Sequence, residues 1–397
     1  MGRLPRLALV SEVPPLSLSA GPAVLYRLLQ QYPAELLLLC EDAGLPRYPD
    51  SELTGVSRRR LPFNWTRLMR SRFGHWHGPL ALALGPALLT GRIASALRDF
   101  RAEAVLSVAH GHIWWPAYRA ACQLNLPFHL IIHDHWRDCL ALPSWLDQRA
   151  THRFTAAYRG AATRFVVSPA MARRYESAYG AKARLLYPSQ HRDAEVHLRA
   201  PAHRTPPFVF AYAGGMDGQW ARRAVIDLAH AIAPSGARVR VYQSIPLDRL
   251  RSDGLRTDNI DIQPFLPALE LHRHLRDHAD AMFLPMSFDP ADRTNVEVCF
   301  PSKLTDYTVP ALPMLVYAPP YSSAVEWLKA NPSAALLVDR PEPALLHSAA
   351  TQLISHPELR STLGAAAATA GQRDFAADQV FSVLAGALDP ALQTISG

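Results

Sequence analysis

Three polar side chains stand close together in Phe300–Pro313, which has the sequence FPSKLTDYTVPALP. Ser302 can cap a helix that begins here, which leaves the first backbone N–H groups of that helix free for an anion. Lys303 in the first turn opposes the helix dipole, so a bound anion is expected to compensate. Asp306, one turn further on, can accept hydrogen bonds from hydroxyl groups. A cation for phosphate beside a carboxylate for ribose suits a sugar nucleotide; the alternative is an ordinary capped helix with solvated charges.

The elements around this stretch predict how it is positioned. An apolar strand, Ala281–Pro285, and a polar loop, Met286–Phe300, come before it, and the apolar run Met314–Ala318 follows it. Strand, helix and strand in this order indicate a βαβ unit. A helix that begins at the end of a parallel strand is where an α/β protein holds a phosphate.

Length and composition indicate a two-domain globular protein. The chain has 397 residues, of which 49% are hydrophobic. We expect a first domain over 1–190, a linker over 191–207, a second domain over 208–375 and a final helix over 376–397. No apolar run approaches the ~20 residues that span a bilayer. The four cysteines lack metal-type spacing, so we expect reduced thiols and no metal.

Two histidine clusters follow predicted strands of the first half. The strand Ala104–Ala109 ends in His110-Gly111-His112, and Phe128–Ile132 ends in His133-Asp134-His135. Both clusters should lie side by side along one edge of a parallel sheet, where α/β proteins place ligands. The same groups suit a metal-free sugar pocket or a metal ion, and the spacing matches no recognised set of metal ligands.

The net charge is +7, and one long stretch contains no acid. Leu53–Arg98 carries eight arginines, with Phe63, Trp65, Phe73 and Trp76 among them. Basic residues interleaved with aromatic residues over 58–76 suit an anionic membrane surface. The alternatives are a solvated basic helix with inward aromatic residues and, less favoured, a nucleic-acid surface.

Several segments together resemble the retaining GT-B glycosyltransferases of family four. They are RFVVSPAMARRYESAYG at 164–180, FAYAGGMDGQW at 210–220, IDIQPFLPALELHRHLRDHADAMFLP at 260–285 and FPSKLTDYTVPALPMLVYAPP at 300–320. The resemblance covers most of the chain from about 164 onward and implies an α/β protein of two Rossmann-like domains, with parallel sheets that face across a cleft. It also implies a nucleotide-sugar donor on the second domain, an acceptor on the first, and no cofactor.

The resemblance assigns donor-binding roles in the second domain. Asp306 matches the carboxylate that holds the ribose hydroxyls, and Ser302 and Lys303 match positions that meet the diphosphate. Gly214 and Gly215 match the glycine turn after the domain's first strand.

In the first domain the resemblance is weaker. Gly21 matches a turn near the diphosphate, and His133 matches a histidine that touches the donor sugar. His110, His112 and Asp134 are then expected on the acceptor side.

The sequence departs from the family pattern at two places. Many members carry two glutamates with seven residues between them. Counting back from Asp306, the position of the first glutamate is occupied by Val298, and Glu297 lies one residue before it. Many also carry an Arg–Lys pair soon after the glycine turn, whereas Arg222 and Arg223 come slightly late. Neutralising the diphosphate would then fall to Lys303, Arg222 or Arg223.

The resemblance implies transfer of a sugar, with retention and without metal, from a UDP-, GDP- or dTDP-sugar. The acceptor would be a glycan, a lipid-linked molecule or another surface polysaccharide, and the enzyme would be cytoplasmic and peripheral on the inner face of the plasma membrane. Two alternatives are a non-catalytic sugar- or nucleotide-binding relative and a sugar-nucleotide epimerase.

Overall fold

The computed structural model describes residues 3–17, 20–41, 52–61, 72–139, 142–199, 206–216, 218–243 and 258–389. Within these residues the chain divides into two compact units. The first is drawn from Met1–Tyr187 and Val380–Gly397, and the second from Pro188–Gln379.

The first unit contains a seven-stranded parallel sheet with the order β3-β2-β1-β4-β5-β6-β7. The strands are β1 Leu7–Ser11, β2 Leu36–Cys40, β3 Ser57–Arg60, β4 Ala104–Val108, β5 Phe128–Ile132, β6 Thr163–Val166 and β7 Arg184–Leu185. The helices are α1 Ala20–Leu29, α2 His77–Phe100, α3 Trp114–Gln123, α4 Ser144–Gly160 and α5 Pro169–Tyr179.

The second unit contains a six-stranded parallel sheet with the order β10-β9-β8-β11-β12-β13. The strands are β8 Val209–Ala213, β9 Arg238–Gln243, β10 Ile260–Pro264, β11 Ala281–Pro285, β12 Met314–Tyr317 and β13 Leu336–Val338. The helices are α6 Gln219–Ile232, α7 Ala268–His278, α8 Arg293–Val298, α9 Ser302–Tyr307, α10 Ser323–Ala330, α11 Pro343–Ser355 and α12 Pro357–Phe375.

Both sheets have the strand order of a Rossmann fold, which confirms the predicted fold class for each unit. The order reverses between β1 and β4 in the first sheet and between β8 and β11 in the second. A ligand of an open parallel sheet binds outside the carboxyl ends of the strands at such a reversal. The two reversals therefore mark where functional side chains are expected.

Local signals in the sequence explain several element ends. Ser168 Oγ accepts from Met171 N at 3.0 Å and caps α5, and Gly180 ends that helix at a φ of 69°. The last described helix, α13 Ala377–Leu388, packs its apolar residues into the core around Leu7 and Leu9 of the first unit.

Helix α2 corrects the expectation that no segment is apolar enough to span a bilayer. By length and composition alone His77–Phe100 could cross a membrane, and 50% of its most apolar window is buried inside the protein. One alternative for the basic segment 58–76 was a solvated helix. Its first residues do not form a helix, since Ser57–Arg60 is an exposed edge strand. Residues 62–71, which include Phe63 and Trp65, lie outside the described part of the chain.

Close packing of α12 supports the connection between α9 and β12. A Cβ atom at Gly364 would lie 2.1 Å from the carbonyl oxygen of Ala311, which has a φ of 55°. A backbone atom cannot yield as a flexible side chain does. Gly364 therefore permits α12 to contact the chain that leaves α9.

We predict that Gly364→Ala lowers the free energy of unfolding by about 2 kcal/mol, because the added methyl group overpacks this contact. Gly386→Ala in α13 is the matched control, since no atom lies within 4 Å of a Cβ there. The control should be neutral or stabilising by up to about 1 kcal/mol through helix propensity. Urea unfolding of both variants tests this, and equal effects would contradict the packing argument.

Candidate functional site

Helix α9 follows β11 and begins beside the reversal of the second sheet. Pro301 occupies its N-cap position with φ −71° and ψ 108°, and no side chain caps the helix. The prediction that Ser302 caps it is therefore wrong. Ser302 is the first helical residue, and its carbonyl oxygen accepts from Thr305 Oγ1 at 2.8 Å. Because a capping residue needs non-helical backbone angles, the extended Pro301 takes that position.

The structure brings together Lys303 and Gly214, two residues that the family resemblance assigned to donor binding. A Cβ atom at Gly214 would lie 1.8 Å from Lys303 Cε and 2.9 Å from Nζ. The lysine therefore lies directly against the backbone that follows β8. Its Nζ lies 5.7 Å from the centre of the Tyr212 ring. Burial lowers the pKa of Lys303, and no carboxylate among the described residues counters that shift.

Tyr307 holds α9 against the end of β8. Its hydroxyl accepts from Ala213 N at 2.8 Å and lies 3.3 Å from Ala213 O. Tyr212 Oη donates to Gly215 O at 2.9 Å, which restrains the glycine turn. Sequence analysis did not identify the two tyrosines, although a tyrosine next to Asp306 in a buried helix face was a usable signal.

Asp306 has a partner that sequence analysis missed. Its Oδ1 lies 3.0 Å from Nε2 of His272, which belongs to α7. The His272 side chain is 6% exposed and the Asp306 side chain is 19% exposed. The carboxylate is thus oriented by a buried imidazole while part of it remains accessible.

The remaining donor-side candidates lie on other elements. Arg222 and Arg223 are the fourth and fifth residues of α6, which begins at Gln219. Burial raises the pKa of Asp227, and the charge of the exposed Arg223 opposes that shift. Glu297 is partly buried near the end of α8. Val298, at the position of the family's first glutamate, is fully buried and apolar.

A buried ionic cluster marks the reversal of the first sheet. His112 Nδ1 lies 2.7 Å from Glu12 Oε1, and its Nε2 lies 3.2 Å from Glu41 Oε1. The side chains of His112 and Glu41 are each 1% exposed. A ligand at this edge would therefore contact the neighbours of His112 rather than its ring. Sequence analysis proposed His112 but identified neither glutamate.

Burial and charge oppose each other within this cluster. Burial lowers the pKa of His112, but the carboxylates of Glu12 and Glu41 outweigh burial and raise it to about 9. Burial raises the pKa of Glu12, but the charge and hydrogen bonds of His112, together with the charge of His110, outweigh burial, and the net shift is downward. The cluster is therefore a charged one at neutral pH.

Gly111 allows the cluster to form. Its φ is 62°, and a Cβ atom there would lie 2.0 Å from the Glu12 carboxylate oxygens. The backbone N–H of His112 also donates to Glu12 Oε1. Only glycine fits both the left-handed conformation and the close approach.

The two predicted histidine clusters meet at the same edge of the first sheet. His110 Nδ1 lies 3.9 Å from Asp134 Oδ2. Burial lowers the pKa of His133 to about 4, so its imidazole is neutral at pH 7. Ligand atoms of His110, Asp134 and Cys139 lie within 4.8 Å of one another, so these residues could hold a metal ion. Burial raises the pKa of the Cys139 thiol to about 12.

Gly21 does not form the predicted turn. It lies in the first turn of α1, with no left-handed φ and no atom within 4 Å of a Cβ built there. The expected glycine turn at this position is therefore wrong, because neither conformation nor close approach requires a glycine.

No family model matches the sequence, and no curated protein matches it. Solved structures do match over nearly the whole chain. Sucrose-phosphate synthase from Thermosynechococcus elongatus has a TM-score of 0.70 and 13% identity and covers 98% of this chain and 100% of its own. Anabaena Alr3699/HepE, in complex with UDP and glucose, has a TM-score of 0.66 and 12% identity, with 98% and 100% covered. MurG from Acinetobacter baumannii has a TM-score of 0.53 and 14% identity, with 95% and 98% covered.

These neighbours are GT-B glycosyltransferases. The chain therefore has the GT-B fold, as the resemblance of its second half implied.

The buried cluster predicts a specific pH dependence. A histidine whose pKa rises from 6.5 to about 9 on folding stabilises the protein fully below pH 6.5 and loses that contribution as the pH rises through 9. We expect the raised pKa of His112 to contribute about 3 kcal/mol to the free energy of unfolding. His112→Gln should flatten the corresponding slope in the free energy of unfolding, measured by urea unfolding between pH 6.5 and 9.

His129→Gln is the control for this experiment. Burial lowers the pKa of His129 to about 4, so its removal should leave the slope between pH 6.5 and 9 unchanged. A slope that persists in His112→Gln would show that the proton on His112 does not stabilise the fold.

Proposed function

We propose that this protein is a glycosyltransferase that moves a sugar from a nucleoside diphosphate to an acceptor hydroxyl. The observation that carries the proposal is the position of Lys303. It is a partly buried cation in the first turn of α9 and packs against Gly214 at the reversal of the second sheet. A desolvated ammonium group without a described carboxylate partner suits a diphosphate. The structural neighbour Alr3699/HepE has been crystallised with UDP and with UDP-glucose, which supports a uridine nucleotide as the first donor to test.

The proposed chemistry is a single group transfer. The bond between the sugar C1 and the diphosphate oxygen breaks, and its electron pair leaves with the nucleoside diphosphate. The acceptor oxygen forms the new bond to C1, and the acceptor proton passes to the departing phosphate. Retention follows if the acceptor attacks from the face that the phosphate leaves, and no protein base is then required.

The described residues supply charge and orientation for this reaction. Lys303 and the N–H groups that open α9 stabilise the charge that develops on the leaving diphosphate, so no metal is needed. Asp306, oriented by His272, accepts from the ribose hydroxyls. His133, in the first unit, is neutral at pH 7 and can form a hydrogen bond without carrying a charge.

We also propose that the acceptor is a glycan, a lipid-linked molecule or another surface polysaccharide and that the enzyme works at the cytoplasmic face of a membrane. The net charge of +7 supports attachment to an anionic surface. Within the strand Ser57–Arg60, Arg58 pairs with Glu52 and Arg59 with Asp99.

Lys303→Ala is expected to lower turnover at least about tenfold, which corresponds to about 1.4 kcal/mol of transition-state stabilisation. The assay measures transfer and hydrolysis with a panel of UDP-, GDP- and dTDP-sugars. Lys329→Ala is the control, because Lys329 is an exposed lysine on α10 of the same unit. Equal turnover in both variants with intact folding would remove Lys303 from the mechanism. Wild-type binding of a nucleotide without turnover would favour the non-catalytic alternative.

Asp306→Ala is expected to weaken UDP binding, measured by titration calorimetry, by roughly tenfold, since it removes the acceptor for two hydroxyl groups. His272→Gln separates this role from the pairing with His272. It removes the imidazole but keeps the carboxylate, so its effect on UDP affinity should be smaller. Unchanged affinity in Asp306→Ala would reject the ribose role.

A further inference from the structure

A groove of about 980 Å³ lies among helices α2, α3 and α4 of the first unit, and none of the residues assigned to sugar transfer lines it. Three arginines line it, Arg119 on α3 and Arg149 and Arg153 on α4, together with Trp115 and Trp145. The described lining includes no acidic residue. The groove therefore combines guanidinium groups with indole rings.

A proline in α2 explains why one of these arginines is buried. Pro86 lies inside the helix and has no N–H group, so the carbonyl of Leu82 lacks its usual donor one turn later. Arg153 Nη1 donates to Leu82 O and supplies that hydrogen bond. Arg153 as a whole residue is 9% exposed, and this contact fixes its side chain at the wall of the groove.

Trp115 lies close to two of the cations. The guanidinium carbon of Arg153 lies 5.7 Å from the centre of its ring, and that of Arg119 lies 5.9 Å away. Burial lowers the pKa of Arg153, and the charges of Arg149 and Arg119 lower it further. The neighbours of this buried cation thus repel it rather than neutralise it, so an anion from outside would relieve the cost.

The acid nearest in sequence is already paired elsewhere. Asp147 lies on α4 between Trp145 and Arg149, and its two carboxylate oxygens accept from Arg137 Nη1 at 2.9 and 2.8 Å. Asp147 lines a separate pocket with Arg137 and Trp136. The groove keeps its positive charge because this carboxylate is engaged outside it.

Exposed apolar side chains lie on the helices that form the groove. Trp145 is 71% exposed, and Leu84 and Leu88, one turn apart on α2, are 47% and 37% exposed. Phe73 and Trp76, just before α2, are 49% and 48% exposed. Large exposed apolar side chains beside the exposed Arg119 and Arg149 and the buried Arg153 have the composition of a surface that enters the headgroup layer of a bilayer.

We propose that the groove lined by Arg119, Arg149 and Arg153 binds the phosphate of an anionic phospholipid headgroup, while Trp145, Leu84 and Leu88 enter the bilayer interface around it. The guanidinium groups supply hydrogen bonds and charge for the phosphate, and the indole rings pack on the apolar part of the lipid. This site is distinct from the segment 58–76 that the sequence indicated, and it does not require a nucleotide sugar.

The test is co-sedimentation of the full chain with vesicles of phosphatidylcholine alone and of phosphatidylcholine mixed with phosphatidylglycerol. The variant Arg119→Gln/Arg149→Gln leaves the structural Arg153 in place. Its partition onto the mixed vesicles should fall roughly tenfold or more, since each arginine near an anionic surface adds to binding. The matched control is Arg173→Gln/Arg174→Gln, which removes two exposed arginines from α5 of the same unit and should change partition far less.

Trp145→Ser is a second variant that keeps the charge. It should also reduce binding to the mixed vesicles, because it removes the most exposed of the large apolar side chains.

Several outcomes would overturn the proposal. Equal binding to neutral and mixed vesicles would show that the headgroup charge is not recognised. Equal losses in the two double-arginine variants would reduce the effect to net charge. The protein could fail to sediment with vesicles while glycerol phosphate still protects the groove arginines from chemical modification. That result would indicate a site for a free phosphate. If Arg119→Gln/Arg149→Gln lost affinity for duplex DNA but bound vesicles as the wild type does, the groove would be assigned to nucleic acid. None of these measurements uses turnover, so their result does not depend on the proposed transferase activity.

Discussion

The proposed donor site depends on the contact between the side chain of Lys303 and the bare backbone of Gly214. The lysine occupies the space that any side chain at position 214 would fill. Helix α9 has only six residues and cannot be stable alone, so it takes its orientation from the strand end that it contacts. Tyr307 completes this arrangement through its hydroxyl and the backbone of Ala213. The ammonium group is thereby fixed at the point where the strand order of the sheet reverses.

The first unit has the same strand order but organises its reversal differently. There a buried imidazolium lies between Glu12, which follows β1, and Glu41, which follows β2. His112 itself follows β4, so the cluster joins the ends of three neighbouring strands. Removing one member would leave an uncompensated buried charge, which costs far more than the pair contributes. The loop that carries His110 is therefore positioned by buried ionic contacts within the protein.

Much of the fold could be predicted from the sequence because its signals are local. Apolar strands, the Ser168 cap and the glycine at 180 each act within a few residues. The contacts that complete the site are not local: Glu12 is 100 residues from His112, and Asp306 is 34 residues from His272. Pro301 rather than Ser302 became the N-cap because backbone angles, which the sequence does not state, decide that position. Helix α2 was not predicted because glycine, proline and arginine interrupt its apolar residues, although the mean hydropathy of its most apolar 18-residue window is high.

Charge balance separates structural cations from those proposed to bind a ligand. Arg238 is hydrogen-bonded to Asp261 and Arg137 to Asp147, so folding alone accounts for their positions. Lys303 and Arg153 differ, because burial lowers the pKa of each and no carboxylate in the described part of the chain opposes the shift. Desolvating a cation without a protein anion costs stability, and an anionic ligand recovers that cost when it binds. The proposed diphosphate site and the proposed headgroup groove each contain one such cation, and neither argument uses the residues of the other.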